Sequence, residues 1–228
     1  MPKRMVVSFP KSGRSWLRYA LELTDEASDI VFCHDEFEYN DVAKPALNFD
    51  IDVRYKRYDR RSDKIVYVDR DTRDTIVSLY NQVTGRFSDF FNYTDDISAF
   101  IRDDYFGVDN LIRFQKIWRM LTQQNHWLMI RYEAMHHDFA AELSKVCDYF
   151  GIKISDERLT HIAEMASFDN MKQLEQSGHS NRPWLTPRNS YAKVRKGKVG
   201  GYATELAPPD IDYIEERMAF FGLEKNIT

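Results

Sequence analysis

The chain has 228 residues, of which 43% are hydrophobic and 14% aromatic; it is long enough for one sizeable core, short for two domains, and too apolar to be intrinsically disordered. A formal net charge of −4 provides no global basic field, so neither nucleic acid nor an anionic membrane is an expected partner. The two cysteines, Cys33 and Cys147, are too few and too far apart for a disulfide framework or a zinc site, and they read as reduced core thiols. With no apolar leader before the first strand and no 18-residue apolar run, a cytoplasmic protein without an integral membrane segment is expected.

In chain order, Met5, Val6 and Val7 begin a strand over 5–10. Pro10-Lys11-Ser12-Gly13 then turns into a helix over 14–24, with Trp16, Leu17, Ala20 and Leu21 on one face. Ile30-Val31-Phe32-Cys33 predicts a buried strand ending at His34. Residues 35–63 are polar and weakly patterned, and read as a long loop of the size that carries function. Ile65-Val66-Tyr67-Val68 is the clearest strand; Arg70 leaves its end, and a helix follows through Ile76, Val77, Leu79 and Tyr80. Leu111, Phe114, Trp118 and Leu121 recur at helical spacing ahead of a strand at 127–130. Leu143, Val146, Cys147 and Phe150 form a stripe that Gly151 stops, and Ser155 caps a helix facing inward through Leu159, Ile162, Ala163 and Ala166. Residues 178–203 lack apolar periodicity and read as a loop; Pro208 and Pro209 introduce a last helix through Ile211, Ile214, Met218 and Phe221.

No repeat or linker divides the chain, so a single domain over 1–228 is expected. Apolar strands alternating with amphipathic helices predict an α/β fold, three layers α/β/α around a mainly parallel sheet. Such sheets bind ligands beyond the carboxyl ends of their strands, a rule that aligns the 10–15 turn, His34, Arg70 and Tyr132 on one rim.

A turn entering a helix offers backbone N–H groups and the positive end of a dipole, which suits a phosphate. Lys11 adds a charge, and Ser12 and Ser15 add hydroxyls. The triphosphate loop G-x-x-x-x-G-K-[ST] is not matched, because Lys11 precedes the single glycine and no Mg²⁺-binding Ser/Thr follows. On this segment alone, an anion cradle and a surface turn with a solvated lysine stand equal. Arg70, with its fork of donors, and Ser78, eight residues on, offer a second grip. VRKGKVGG gathers Arg195, Lys196 and Lys198 around Gly197, Gly200 and Gly201, where glycine lets a backbone approach a ligand closely. Three such stretches imply a ligand with phosphate at more than one place. His126, His136, His137 and His161 show no metal-ligand spacing, so no metal is expected; His136 and His137 read as lying at a helix start.

In this order the segments resemble the sulfotransferase family that uses 3′-phosphoadenosine-5′-phosphosulfate (PAPS). PKSGRSWL is similar to its P-K-S-G-T-T-W-L loop, YVDRDTRDTIVSLY to its 3′-phosphate segment, and RKGKVGG to its R-K-G-x-x-G loop. IRYEAM and ASFDNMK resemble its Y-E-D-[ML] and T-S-F-x-x-M-K stretches. The resemblance implies in-line sulfuryl transfer to a hydroxyl or amine without a metal, with Lys11, His34 and Ser78 as the catalytic set. Lys11 would steady the departing phosphate, and the backbone of Ser12, Gly13, Arg14, Ser15 and Trp16 would cradle the 5′-phosphate. Trp16 and Phe168 would flank adenine, and Tyr132 would reach the nucleotide. Arg70, Ser78, Arg195, Lys196 and Gly197 would hold the 3′-phosphate.

The sequence departs from the family at three points. Phe32 stands where a second lysine is common, Asp35 and Glu36 follow His34 in place of Leu-Pro, and Ala166 replaces a threonine near the adenine. The base is therefore His34, Asp35 or Glu36, with His34 favoured by its strand-end position. The acceptor stays open among small molecules, glycans and lipids, with residues 35–63 as part of its pocket, and so does the oligomeric state. Two alternatives stand beside this reading: a nucleotide or nucleoside kinase with a degenerate loop, and a non-catalytic nucleotide binder.

Overall fold

The structure, a computed structural model, describes residues 3–40, 51–58, 63–177, 182–194 and 197–223. Strands β1 (Arg4–Ser8), β2 (Ile30–Cys33), β3 (Lys64–Asp69) and β4 (Leu128–Arg131) pair in parallel in the order β2-β1-β3-β4. The helices are α1 (Arg14–Glu22), α2 (Ile51–Tyr58), α3 (Thr72–Asn81), α4 (Ser88–Phe91), α5 (Ile97–Arg102) and α6 (Val108–Gln124). They continue with α7 (Tyr132–His137), α8 (Phe139–Phe150), α9 (Asp156–Met165), α10 (Phe168–Ser177) and α11 (Pro208–Phe221).

Successive side chains of a strand point to opposite faces. Met5, Val7, Ile65 and Tyr67 therefore enter one core, under α3, α5, α6 and α11, and Val6, Val66 and Val68 enter another, under α1, α8 and α9. Both sets are apolar because helices cover both faces, which gives the three-layer α/β/α arrangement. Local stop signals act as the sequence indicates. Gly151 ends α8 at φ 75°, the Ser155 side chain accepts the Arg158 N–H at 3.2 Å, and Pro208 opens α11.

Two expectations are corrected, and one helix lies where no element was assigned. Residues 35–63 are not a loop throughout, since α2 occupies 51–58; residues 41–50 and 59–62 lie outside the described residues. Among its described side chains this helix docks through buried charge and Tyr58, which packs on Trp118 at 4.8 Å, so periodicity does not reveal it. Arg54 is buried against the Asp35 carboxylate at 2.5 Å and over the Phe37 ring at 5.2 Å. Helix α10 begins within the ASFDNMK stretch and runs to Ser177, a span the sequence leaves unassigned. His136 and His137 end α7 rather than starting a helix.

Candidate active site

Beyond β1 the chain reverses tightly. The Ser12 N–H donates to the Phe9 carbonyl at 3.3 Å, Lys11 sits at φ 73° and Gly13 at φ 95°, and the Gly13 carbonyl receives the Trp16 N–H at 2.9 Å. Only glycine fits position 13, because a Cβ there would lie 2.5 Å from the Tyr132 ring at a left-handed φ. A left-handed lysine costs on the order of 1–2 kcal/mol, and the surrounding contacts must hold it. Arg70 does so: its Nη1 donates to the Lys11 carbonyl at 2.9 Å, and its guanidinium lies 4.2 Å from the Tyr132 ring centre. Its Nη2 reaches the Lys198 carbonyl at 3.5 Å. The three stretches kept apart in sequence thus meet at Arg70.

Arg70 is itself supported from beneath. The Gln115 amide donates to the Arg70 carbonyl at 2.6 Å and to Asp69 at 3.1 Å, and receives the Thr72 hydroxyl at 2.7 Å. On α3, the Asp74 carboxylate accepts the N–H groups of Gly200 at 2.8 Å and Tyr202 at 2.9 Å, clipping the C-terminal glycine stretch to the start of that helix.

The result is one cavity of about 710 Å³ at the carboxyl ends of the strands. Lys11, Gly13, Arg14, Ser15, Trp16, His34, Arg70, Ser78, Tyr132, Phe168 and Gly197 all line it. Ser12 does not line it; its side chain is buried beneath the turn. Arg195 and Lys196 lie outside the described residues. Trp16 donates its indole N–H to the Ala166 carbonyl at 2.6 Å and stacks on Phe139 at 4.5 Å, so the contact to position 166 is through backbone and does not need a threonine. Gly197, at φ 57°, leaves room for Phe168, whose ring a Cβ would meet at 2.2 Å.

The walls are cationic. Burial brings the Arg14 guanidinium down to about 10 and holds Lys193 well below the usual lysine range, with Lys11, Arg86, Arg14 and Arg18 adding to the Lys193 shift. Arg14 Nη1 and Arg70 Nε are buried without a hydrogen-bond partner. Unmet buried donors on two separate arginines match an anionic ligand. Among the described residues, no group of His, Cys, Asp or Glu is placed to hold a metal ion.

His34 Nδ1 lies 2.8 Å from the Ser8 carbonyl, which can only accept, so Nδ1 carries the proton and Nε2 keeps the lone pair. Burial first, then the charge of Arg14, holds His34 well below the usual imidazole range, so it is neutral at pH 7. Its backbone N–H donates to Glu38 Oε1 at 3.0 Å, and its Nε2 lies 4.0 Å from Glu38 Oε2. Glu38 also lines the cavity.

Asp35 and Glu36, the alternative bases, do not. The fully buried Asp35 carboxylate takes Arg54, the Tyr58 hydroxyl at 2.5 Å and the Trp118 N–H at 3.1 Å, and Glu36 pairs with Arg57 at 2.6 Å. Both residues are occupied anchoring α2. Phe32 is likewise absent from the lining and packs 5.2 Å from the Arg18 guanidinium.

Glu38, Asp74, His136 and Lys193 are cavity residues that sequence reasoning missed. Only Glu38 had a legible signal, a carboxylate four residues past His34 in HDEFE, and two nearer carboxylates obscured it.

The sequence model of the sulfotransferase domain matches residues 1–225. Mouse Sulfotransferase 2B1 is 24% identical over 221 residues, 86% of this chain and 64% of that protein. Cytosolic sulfotransferase 14 of Arabidopsis thaliana is 25% identical over 180 residues, 70% of this chain and 50% of that protein. The chain therefore spans less than two thirds of the length of these two relatives. Among solved structures, mouse sulfotransferase SULT7A1 complexed with PAP aligns with a TM-score of 0.66 at 21% identity, covering 96% of this chain and 83% of that one, a likeness of fold. Matched along nearly its whole length, the chain belongs to the sulfotransferase domain family.

Proposed function

We propose that this single-domain protein transfers a sulfuryl group from PAPS to a hydroxyl or amine of a small acceptor. The observation that carries this reading is the convergence of Lys11, Arg70, Ser78, Tyr132 and His34 on one cavity with two unmet guanidinium donors. The residues fit the nucleotide: Gly13 and Gly197 leave room for the Tyr132 and Phe168 rings that line the cavity, and Lys11, Arg14, Arg70 and Lys198 line it too. When bound, PAPS supplies a sulfur whose bond to the bridging phosphate oxygen breaks, the electron pair leaving with the phosphate, as the acceptor atom bonds to it in line.

The chain's part in this is positioning and charge. Lys11 neutralises the departing phosphate. His34 Nε2 takes the acceptor's proton, its ring fixed by the Nδ1–H on the Ser8 carbonyl, and Glu38 stands beside it to balance the imidazolium. Arg70, Ser78 and the 197–201 stretch grip the 3′-phosphate, while Trp16 and Phe168 flank the base. Cytoplasmic location is part of the proposal, supported by relatives named as cytosolic. The acceptor class is left to experiment; glycans and lipids remain in the screen.

The test is a thermal melt with 3′,5′-adenosine bisphosphate or ATP·Mg²⁺, with and without chelator, followed by transfer of labelled sulfate to acceptor pools. The bisphosphate is expected to stabilise regardless of metal, by about 2.7 kcal/mol at a hundredfold excess over Kd. His34→Ala keeps that stabilisation and loses transfer. Preference for ATP with Mg²⁺ would instead indicate a kinase, and bisphosphate binding with no transfer to any acceptor a non-catalytic binder.

A second check concerns the adenine end. Gly197→Ala forces either backbone strain of about 1–3 kcal/mol or displacement of Phe168. Titration calorimetry should find bisphosphate affinity lowered by about tenfold or more, one tenfold step being 1.4 kcal/mol. Unchanged affinity would remove Phe168 and Gly197 from the site.

A further inference from the structure

We infer that the Arg14 side chain is a second cationic contact for the transferring sulfuryl group, doing from the start of α1 what a lysine at position 32 does not do in this chain. The inference rests on the sulfotransferase reading above and extends it to a side chain for which the resemblance implied only a backbone role.

Three observations carry it. The first is placement: Arg14 lines the same cavity as Lys11, His34 and Glu38, whereas Phe32 does not line it and packs against Arg18. The second is an unmet donor. Arg14 Nη1 is buried with no acceptor, and an unsatisfied buried polar group costs about 1–3 kcal/mol, more if charged. A folded chain that bears such a cost at a cavity wall has a donor waiting for a ligand oxygen.

The third observation locates that oxygen along the cavity. Arg14 opens α1 directly after the turn that carries Lys11, and after burial its charge is the largest influence lowering His34; it also lowers Lys193. At His136 the corresponding charge, again after burial, is that of Arg70. Both orphan arginines border the same turn: Arg70 donates to the Lys11 carbonyl and lies beside Tyr132, and Arg14 follows three residues after Lys11 as the first residue of α1. In an in-line transfer the sulfur lies between the proton acceptor and the leaving oxygen. A guanidinium on the cavity wall that also carries His34 and Lys11 is therefore placed to reach the sulfuryl oxygens, across which charge is spread during transfer. Its planar fork of donors suits two of those oxygens better than a single ammonium would.

The measurement is calorimetric affinity, without acceptor, for PAPS and for 3′,5′-adenosine bisphosphate in the parent chain and in Arg14→Met and Arg14→Lys. Arg14→Met should weaken PAPS by about tenfold or more relative to the bisphosphate, as loss of a charged hydrogen bond implies. Arg14→Lys should recover part of that ratio by keeping the charge. The unliganded Arg14→Met protein should melt at or above the parent temperature, because it loses a buried unmet donor, whereas a merely structural arginine would lower it.

An equal loss for both ligands would assign Arg14 to the phosphate and overturn the inference, as would no loss for either. If the parent chain binds no bisphosphate, it is the sulfotransferase reading that fails. If Arg14→Met does not fold, the Arg14→Lys ratio decides: a value equal to the parent's overturns the proposed fork contact, and a reduced one supports it.

Discussion

Lys11→Ala is expected to lower the single-turnover rate of sulfuryl transfer by about 10²–10³-fold, the range for removing one preorganised charge-stabilising contact. The substitution isolates the ammonium. Lysine and alanine share the same aversion to a left-handed φ, so the turn at φ 73° is no more strained in the variant. The Lys11 carbonyl still receives the Arg70 N–H. Bisphosphate affinity should therefore fall far less than the rate.

The variant also changes proton affinity in a predictable direction. Lys11 is among the charges that hold His34 below the usual imidazole range, after burial, Arg14 and Lys193. Removing a positive neighbour raises the His34 pKa. The acid limb of the pH–rate profile, where His34 becomes protonated and can no longer accept, should accordingly move to higher pH. A rate equal to the parent's would take Lys11 out of the mechanism.

Asp69→Ala is expected to cost about 3–5 kcal/mol of stability, the range for breaking a buried ion pair on one side. Its carboxylate is fully buried at the end of β3 and accepts from the Tyr67 hydroxyl at 2.9 Å, Gln115 at 3.1 Å and Arg119 at 3.0 Å. Without it Arg119 loses the carboxylate it meets at 2.8 Å, and Arg131 loses a partner at 3.7 Å. Urea melts would register the loss, and the melting temperature should drop by roughly 10 °C for a chain of this size. Because Gln115 also holds the Arg70 carbonyl, bisphosphate affinity should fall with stability. A cost below about 1 kcal/mol would mean that the polar cluster beneath Arg70 does not support the site.

Much of the scaffold was legible because it rests on short-range rules. β1 and β3 are apolar runs, Gly151 and Ser155 carry stop and cap chemistry, and the topological rule puts Lys11, His34, Arg70 and Tyr132 at strand ends. Helix α2 escaped notice for the opposite reason. It is held by Arg54 on Asp35, a long-range charge pair that leaves no periodic trace. That pair also engages the Asp35 carboxylate away from the cavity, which the HDEFE stretch does not reveal.

Sequence by itself determined the alternation of strands and helices, the three stretches rich in anion-binding groups, and their order along the chain. Those follow from residue type and spacing, which act locally. Tertiary structure alone decided that Arg70 joins the three stretches, that Asp74 clips the glycine stretch to α3, and that Glu38 is the carboxylate beside His34. It also decided that Arg14 and Arg70 keep unmet donors. These are contacts between residues brought together by packing, and the direction of a buried hydrogen bond is set by that packing, not by its place in the chain.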